Sequence, residues 1–247
     1  MDMIKKLTGK NPADYEPVAE LLVNNSDVKL FEKLVQQDDF LFDFIKTNVA
    51  KRIQAVCNKS NYKNLLNFLK IYSPSYDYMI AFVLHNFGDE DLFSVMKNIY
   101  ANGTYSEKAY AAKYFSFFEN NKILPMVQEI RLNAESEFAP LAVNSTELLS
   151  KLKDEISKKQ ALEKLNSEDE FEQYNGVKFL VSYGAKDCLK QIIEVMKKSR
   201  LSENIASELP YLIPVKDIID NNFDDGILVL CNIVNAIPDI ISPSIVL

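Results

Sequence analysis

Apolar residues recur along the chain at two scales, a few residues apart within short segments and about 32 residues apart between segments. The segment 106–131 contains one complete unit, with two sets of apolar residues spaced by three: Ala109, Ala112, Phe115 and Phe118, then Leu124, Val127 and Ile130. This spacing predicts two short helices joined by a polar turn, each with one apolar stripe. A single pair cannot bury both stripes, so the pattern predicts neighbouring copies.

The same unit recurs in register through the chain. Apolar residues of the predicted first helices, spaced by 30 to 33 residues, form a first-helix series: Leu22, Ile53, Val83, Phe115, Leu148, Leu180 and Leu212. The predicted second helices give a second-helix series: Phe31, Tyr62, Leu92, Leu124, Ile156 and Leu189. A companion series three residues later skips Lys159 and otherwise contains Leu34, Leu65, Val95, Val127 and Ile192. Together they predict about seven helical hairpins.

Polar residues separate the predicted helices. Asn25-Ser26-Asp27, Gly88-Asp89-Glu90-Asp91 and Gly184-Ala185-Lys186-Asp187 fall inside pairs, where their side chains can cap the second helix and glycine can end the first. The acidic clusters Asp38-Asp39, Glu168-Asp169-Glu170 and Asp224-Asp225 also lie where helices are predicted to begin. Capping and the helix dipole explain these carboxylates, so we predict helix caps there.

Two stretches carry a further signal, KAYAAKYFSFFENNKILPMVQEI at 108–130 and NGVKFLVSYGAKDCLKQIIEVM at 175–196. An Ala-rich first helix, a short Asn/Asp/Gly turn and a Leu/Val/Ile second helix make the chain resemble HEAT-like repeats of the armadillo-type α-solenoids. The resemblance covers nearly the whole chain. It implies an all-α, right-handed α-solenoid that forms a single domain over residues 1–247. Such an architecture does not by itself imply a function.

Two segments depart from the regular pattern. Residues 145–166 are helical in composition and contain no Gly or Pro, which predicts either one long helix or a hinge. The C-terminal end is apolar over Ile227–Val234 and again over the last four residues. Polar residues and Pro238 interrupt it, so no membrane span is predicted. Because solenoids normally end in a polar face, we expect this end to dock on a partner or to continue into further repeats of a longer chain.

Charge and cysteine content limit the kinds of function and the cellular location that we expect for this chain. The formal net charge is −7 and the pI is about 5.0, which argues against nucleic-acid binding because phosphate contacts depend on accumulated Lys and Arg. Cys57, Cys188 and Cys231 are scattered among apolar neighbours, as reduced core thiols are. The chain also lacks a secretory signal, so we expect a cytoplasmic protein.

Catalytic chemistry has little support in the sequence. The one histidine, His85, would have to serve any Ser/His/Asp triad, and multi-histidine metal sites cannot form. Its position at the end of a predicted helix favours a structural role. A Gly-rich phosphate loop and a CxxC motif are both missing. We therefore predict no catalytic, cofactor-binding or metal-ligating residue, and no bound cofactor.

Surface chemistry favours binding. Outward positions of the second helices carry charges of both signs through Asn67, Lys97, Glu129 and Glu194, as expected for a mixed, polar surface that contacts protein. Tyrosines crowd the middle units, and tyrosine is enriched at recognition surfaces. The predicted partner-binding residues are Tyr72, Tyr76, Tyr100, Lys97 and Arg131.

Three functions remain open. The resemblance implies a non-enzymatic scaffold that binds a protein or peptide on its concave face. One alternative is a HEAT-like enzyme or cofactor handler of the bilin lyase kind, using Asp91 and Glu129; it requires turnover that Asp91→Asn or Glu129→Gln abolishes. The other alternative is a structural segment of a larger assembly, for which the apolar C-terminal end is the support.

Overall fold

The computed structural model describes residues 15–36 and 40–214, without the side chains of residues 40–43. All regular structure in these ranges is helical, with 13 α-helices, three 3-10 segments and no strand. The expectation of an all-α chain is therefore confirmed for the described residues. The chain divides into two compact units, Met1–Leu148 and Leu149–Leu247.

The first unit contains α1 to α8 and most of α9. Its helices are α1 (Glu16–Asn25), α2 (Val28–Val35), α3 (Phe40–Val56), α4 (Asp77–Phe87), α5 (Glu90–Asn102), α6 (Tyr105–Phe115), α7 (Asn120–Ile123), α8 (Val127–Ala134) and α9 (Ala139–Leu152). Two 3-10 segments, Tyr62–Phe68 and Leu124–Met126, complete it. The boundary between the units falls inside α9.

The second unit has four complete helices among its described residues. They are α10 (Glu155–Lys164), α11 (Glu170–Tyr183), α12 (Leu189–Lys198) and α13 (Ser202–Leu212), with a 3-10 segment at Lys186–Cys188. First and second helices of the predicted pairs therefore alternate along the chain. In this scheme α11 and α13 are first helices, whereas α10 and α12 are second helices.

Two kinds of helix contact recur within the units. First helices pack on the next first helix, as α1 does on α3, α4 on α6 and α11 on α13. Second helices pack on the first helix that follows them, as α5 does on α6, α10 on α11 and α12 on α13. A first helix is thus enclosed by more neighbours than a second helix.

Burial follows this difference. All seven residues of the first-helix series are buried, from Leu22 to Leu212. In the second-helix series, Leu124 and Ile156 are more than half exposed, and Val95 of the companion series is also exposed. The prediction that these three residues line the core is therefore wrong. In the segment around Leu124, the buried residues are Ile123, Met126 and Ile130.

Acidic side chains begin several helices. Asp27 accepts a hydrogen bond from the backbone N–H of Leu30 (3.0 Å), and Asp89 accepts one from that of Leu92 (2.9 Å). Asp169 caps α11 in the same way. The hydrogen bond from Leu92 also lowers the pKa of Asp89. The predicted capping role is confirmed at these three positions, whereas Asp38-Asp39 and Asp224-Asp225 lie outside the described residues.

The helix over residues 145–166 is interrupted. Lys153 adopts a left-handed φ of 56°, and Asp154 starts α10 by accepting hydrogen bonds from the backbone N–H (2.9 Å) and hydroxyl (2.7 Å) of Ser157. The segment therefore contains a break where the sequence predicts either one long helix or a hinge, and helical composition does not reveal a capping aspartate inside a polar run. The neighbouring α11 ends at Gly184, whose φ of 76° favours glycine.

The described cysteines lie in the core, as the sequence predicts. Cys57 and Cys188 are buried, and burial raises the pKa of Cys57 to about 12. Cys231 and the apolar C-terminal segment lie outside the described residues. Among the helices that are described, none combines the length and the apolar character needed to cross a membrane.

Candidate functional site

Two of the predicted partner-binding tyrosines belong to the core. Tyr76 and Tyr100 are both 0% exposed, so neither can contact a partner at the surface. The ring of Tyr76 packs against Phe31, with 5.2 Å between centroids. The Tyr100 hydroxyl shares a 2.8 Å hydrogen bond with Ser145. The sequence places both tyrosines at helix junctions, but it does not show that neighbouring helices close over them.

The other three predicted residues lie on separate elements. Tyr72 is half-buried before α4 and donates a 2.9 Å hydrogen bond to Asp77. Burial and the Asp77 carboxylate raise the pKa of Tyr72. Lys97 is exposed on α5, and Arg131 is half-buried on α8. Lys97 is thus the one exposed residue of these three.

Tyr72 does belong to a row of aromatic rings that reaches the surface of the first unit. Its ring meets Phe138 edge to face at 5.7 Å, and Phe138 stacks on Tyr105 at 6.3 Å. Tyr105 is 62% exposed. The row therefore presents an aromatic surface, although Tyr105 is not among the predicted partner-binding residues.

The residues of the enzymatic alternative lie on two different helices of the first unit. Asp91 is exposed in the first turn of α5, whereas Glu129 is half-buried on α8, 4.0 Å from the ammonium of Lys108. His85 packs among aromatic rings, with Phe118 edge to face at 4.7 Å. In the described part of the chain, no group of three or more His, Cys, Asp or Glu side chains could hold a metal ion.

An open groove in the second unit combines apolar and charged residues. It lies between α10 and α12, both second helices, and has a volume of about 480 Å³. We call it the α10/α12 groove. Its lining residues recur at helical spacing on each helix, so one face of α10 and one face of α12 form its walls.

The groove has an apolar floor and a charged rim. Leu162, Leu165 and Val195 form the floor, with Leu165 buried and the other two half-exposed to solvent. Exposed lysines and carboxylates stand around it: Lys159, Lys190 and Lys198, with Glu163 and Glu194. This arrangement is typical of a binding surface, in which apolar contacts supply affinity and the polar rim supplies specificity.

Polar contacts hold α10 beside the segment that leads into α12. The Lys158 ammonium lies 2.9 Å from the Asp187 carboxylate, and this hydrogen bond raises the pKa of Lys158 and lowers that of Asp187. The Tyr183 hydroxyl donates to Glu155 at the start of α10. These two contacts thus fix the first turns of α10 against the region before α12.

Core packing holds the second wall. Ile192, Ile193 and Met196 of α12 are buried, which turns the opposite face of this helix toward the groove. At the other end, the backbone N–H of Arg200 donates a 2.9 Å hydrogen bond to Glu170 of α11. Both ends of the α12 wall are therefore anchored within the second unit.

Glu194 is the one groove residue that the sequence predicts to face outward. The sequence predicts no binding role for the others. A signal was nevertheless present, because the companion series of apolar residues breaks at Lys159, which lines the groove. The apolar residues Leu162 and Val195 lie outside the apolar series that predict the core. Such departures from register mark residues that a repeat does not need for its own packing.

No protein-family model matches the chain. Neither a curated protein sequence nor a solved structure shows significant similarity to it. The residues of the chain itself therefore carry what can be inferred about its function.

Proposed function

We propose that the chain is a right-handed α-solenoid of about seven HEAT-like helix pairs that binds a protein or peptide partner without catalysing a reaction. The recurring contacts support the solenoid, since first helices stack on first helices and second helices pack on the following first helix in both units. A unit that repeats both its sequence period and its contacts is typical of solenoid proteins. Their function commonly lies on the face that the second helices form.

The α10/α12 groove carries the proposal. Leu162 and Val195 on its floor leave part of their apolar surface exposed to solvent. Covering this surface with a partner side chain stabilises the complex by about 25 cal/mol for each Å² of apolar area removed from water. A groove of about 480 Å³ accommodates several side chains of a peptide. The exposed charges around the floor then select the orientation and the chemistry of the bound segment.

Polar residues at outward positions of other second helices support protein binding in preference to a track for phosphates. Asn67, Lys97 and Glu194 are exposed, and Glu129 is half-buried. They comprise one amide, one cation and two carboxylates, so they supply no continuous row of cations. Selective binding of a polypeptide is consistent with this mixture of charges.

The experiment compares capture of partners by full-length chains immobilised at equal density. One chain is unchanged, one carries Leu162→Glu with Val195→Glu, and a matched control carries Ile156→Glu with Phe171→Glu. The control replaces apolar residues that are more than half exposed and lie outside the groove lining. Lysate proteins retained by each chain are quantified by mass spectrometry, and circular dichroism verifies that the variants fold.

We expect a partner that the unchanged chain and the control retain and that the groove variant loses. The two glutamates place charge on the apolar floor, where burial by a partner becomes unfavourable. Equal retention by all three chains would show that the groove does not bind the partner, and turnover of a captured small molecule would favour the enzymatic alternative.

A further inference from the structure

At the rim of the α10/α12 groove, more lysines than carboxylates lack an ion-pair partner. Glu194 forms a 2.8 Å ion pair with Lys197, one turn away on α12. Among the described residues, Lys159, Lys190 and Lys198 form no ion pair, and Glu163 forms none either. Three lysines against one carboxylate leave the rim with an excess of unpaired positive charge.

The described part of the second unit carries no net charge as a whole. Residues 149–214 contain equal numbers of basic and acidic side chains, whereas the whole chain has a net charge of −7. An anionic ligand therefore meets no net repulsion from this part of the chain. The lysines surround an apolar floor, so the complementary ligand has both carboxylates and apolar side chains.

We propose that the α10/α12 groove binds an acidic amphipathic polypeptide segment, an inference that rests on the proposed function and specifies its partner. Apolar side chains of the segment cover Leu162 and Val195. Its carboxylates pair with Lys159 on one wall and with Lys190 and Lys198 on the other. Lys190 and Lys198 lie eight residues apart on α12, so they can contact carboxylates that are separated along the bound segment.

The composition of the groove favours a polypeptide over a nucleic acid. Single-stranded nucleic acids bind through aromatic side chains on which bases stack, together with cations that follow the backbone. The groove lining contains no aromatic residue. Its floor of Leu and Val side chains suits aliphatic partners instead.

The test measures fluorescence anisotropy of labelled peptides titrated with the full-length chain. The acidic probe is a peptide of about four helical turns, with leucines along one face and glutamates elsewhere. A basic twin has lysine in place of every glutamate, and a polythymidine oligonucleotide tests the nucleic-acid alternative. The groove variant carries Lys159→Glu, Lys190→Glu and Lys198→Glu.

A matched control makes the same charge change outside the groove lining, with Lys164→Glu, Lys178→Glu and Lys186→Glu, all at exposed positions. We expect the acidic probe to bind the unchanged chain and the control, and to bind the groove variant about tenfold more weakly. The basic twin should show the opposite preference and bind the groove variant more tightly than the unchanged chain.

Several outcomes would overturn the inference. One is that the basic twin or the oligonucleotide binds the unchanged chain more tightly than the acidic probe does. Another is that the control loses as much affinity for the acidic probe as the groove variant does. A further outcome comes from sedimentation velocity. If the unchanged chain is a dimer and Val195→Glu makes it a monomer, the groove binds a second copy of the chain instead. If neither peptide binds while the capture experiment still yields a groove-dependent partner, the acidic ligand is wrong and the proposed function remains.

Discussion

The first and second helices of this chain share one sequence period but are enclosed to different degrees. The first helix α6 packs on both α4 and α5, and its residues Ala109 to Ala112, Tyr114 and Phe115 are all buried. The second helix α10 packs mainly on α11 and buries Ser157 and Ala161 within its span. The difference shows that contact with several neighbours, more than helical propensity, fixes which residues of a helix face inward.

This difference also separates stability from function. A helix enclosed by neighbours must keep a particular apolar face, because each misplaced residue leaves a cavity or a clash. A helix with one free face can present charged and apolar residues to a ligand there. The α10/α12 groove lies on such faces, whereas the first-helix series lies in the core.

The largest effect is expected at the centre of the first-helix series. Phe115→Ala should lower the free energy of unfolding by about 3–5 kcal/mol, because the ring is fully buried and packs edge to face on Phe93 and Tyr100 at 5.4 and 5.7 Å. Urea denaturation followed by circular dichroism measures this change. The control is Phe171→Ala, at a position 69% exposed, which should change stability by less than about 0.5 kcal/mol. Equal effects would contradict the described core.

The next prediction concerns the register of a second helix. Ile123→Ala should lower the free energy of unfolding by about 2–5 kcal/mol, because Ile123 is fully buried. Leu124→Ala, one residue later, should have an effect below about 0.5 kcal/mol, because Leu124 is 54% exposed. The same denaturation experiment compares the two variants. A larger loss for Leu124→Ala would restore the register that the second-helix series predicts.

Pro125 explains why the sequence predicts this register wrongly. The segment 120–134 is divided into α7, a 3-10 turn over Leu124–Met126, and α8. Proline lacks a backbone N–H, and a 3-10 turn has three residues where an α-helix has 3.6. At Ile123 and Met126 the buried position therefore lies one residue earlier than predicted, whereas Ile130 is buried as predicted. A period of about 32 residues cannot reveal such a local change.

Other features could be predicted because they depend on short-range chemistry. The caps at Asp27 and Asp89 follow from an aspartate before an apolar helix, and the first-helix series follows from its repeated spacing. The groove could not be predicted, because it depends on how packing and the Lys158–Asp187 pair position α10 relative to α12. Burial of Tyr76 and Tyr100 likewise depends on neighbouring helices that a single segment does not specify.

Those two tyrosines provide a third, smaller prediction. Tyr100→Phe should lower the free energy of unfolding by about 1–3 kcal/mol, because it leaves the buried Ser145 hydroxyl without its 2.8 Å partner. Tyr76→Phe should have no effect or should stabilise the chain, because the buried Tyr76 hydroxyl has no hydrogen-bond partner among the described residues. Thermal unfolding of both variants tests this. A greater loss for Tyr76→Phe would show that its hydroxyl is satisfied by another group.

The smallest effect is expected at the start of α10, where little apolar burial supports the helix. Asp154→Ala should lower the free energy of unfolding by about 1 kcal/mol, because Ala cannot accept the hydrogen bond from the backbone N–H of Ser157. Asp154→Asn should cost less, since asparagine can also cap a helix. Hydrogen exchange of the first turn of α10 provides the local measurement. Equal protection in the unchanged chain and in Asp154→Ala would mean that packing on α11 alone determines where α10 begins.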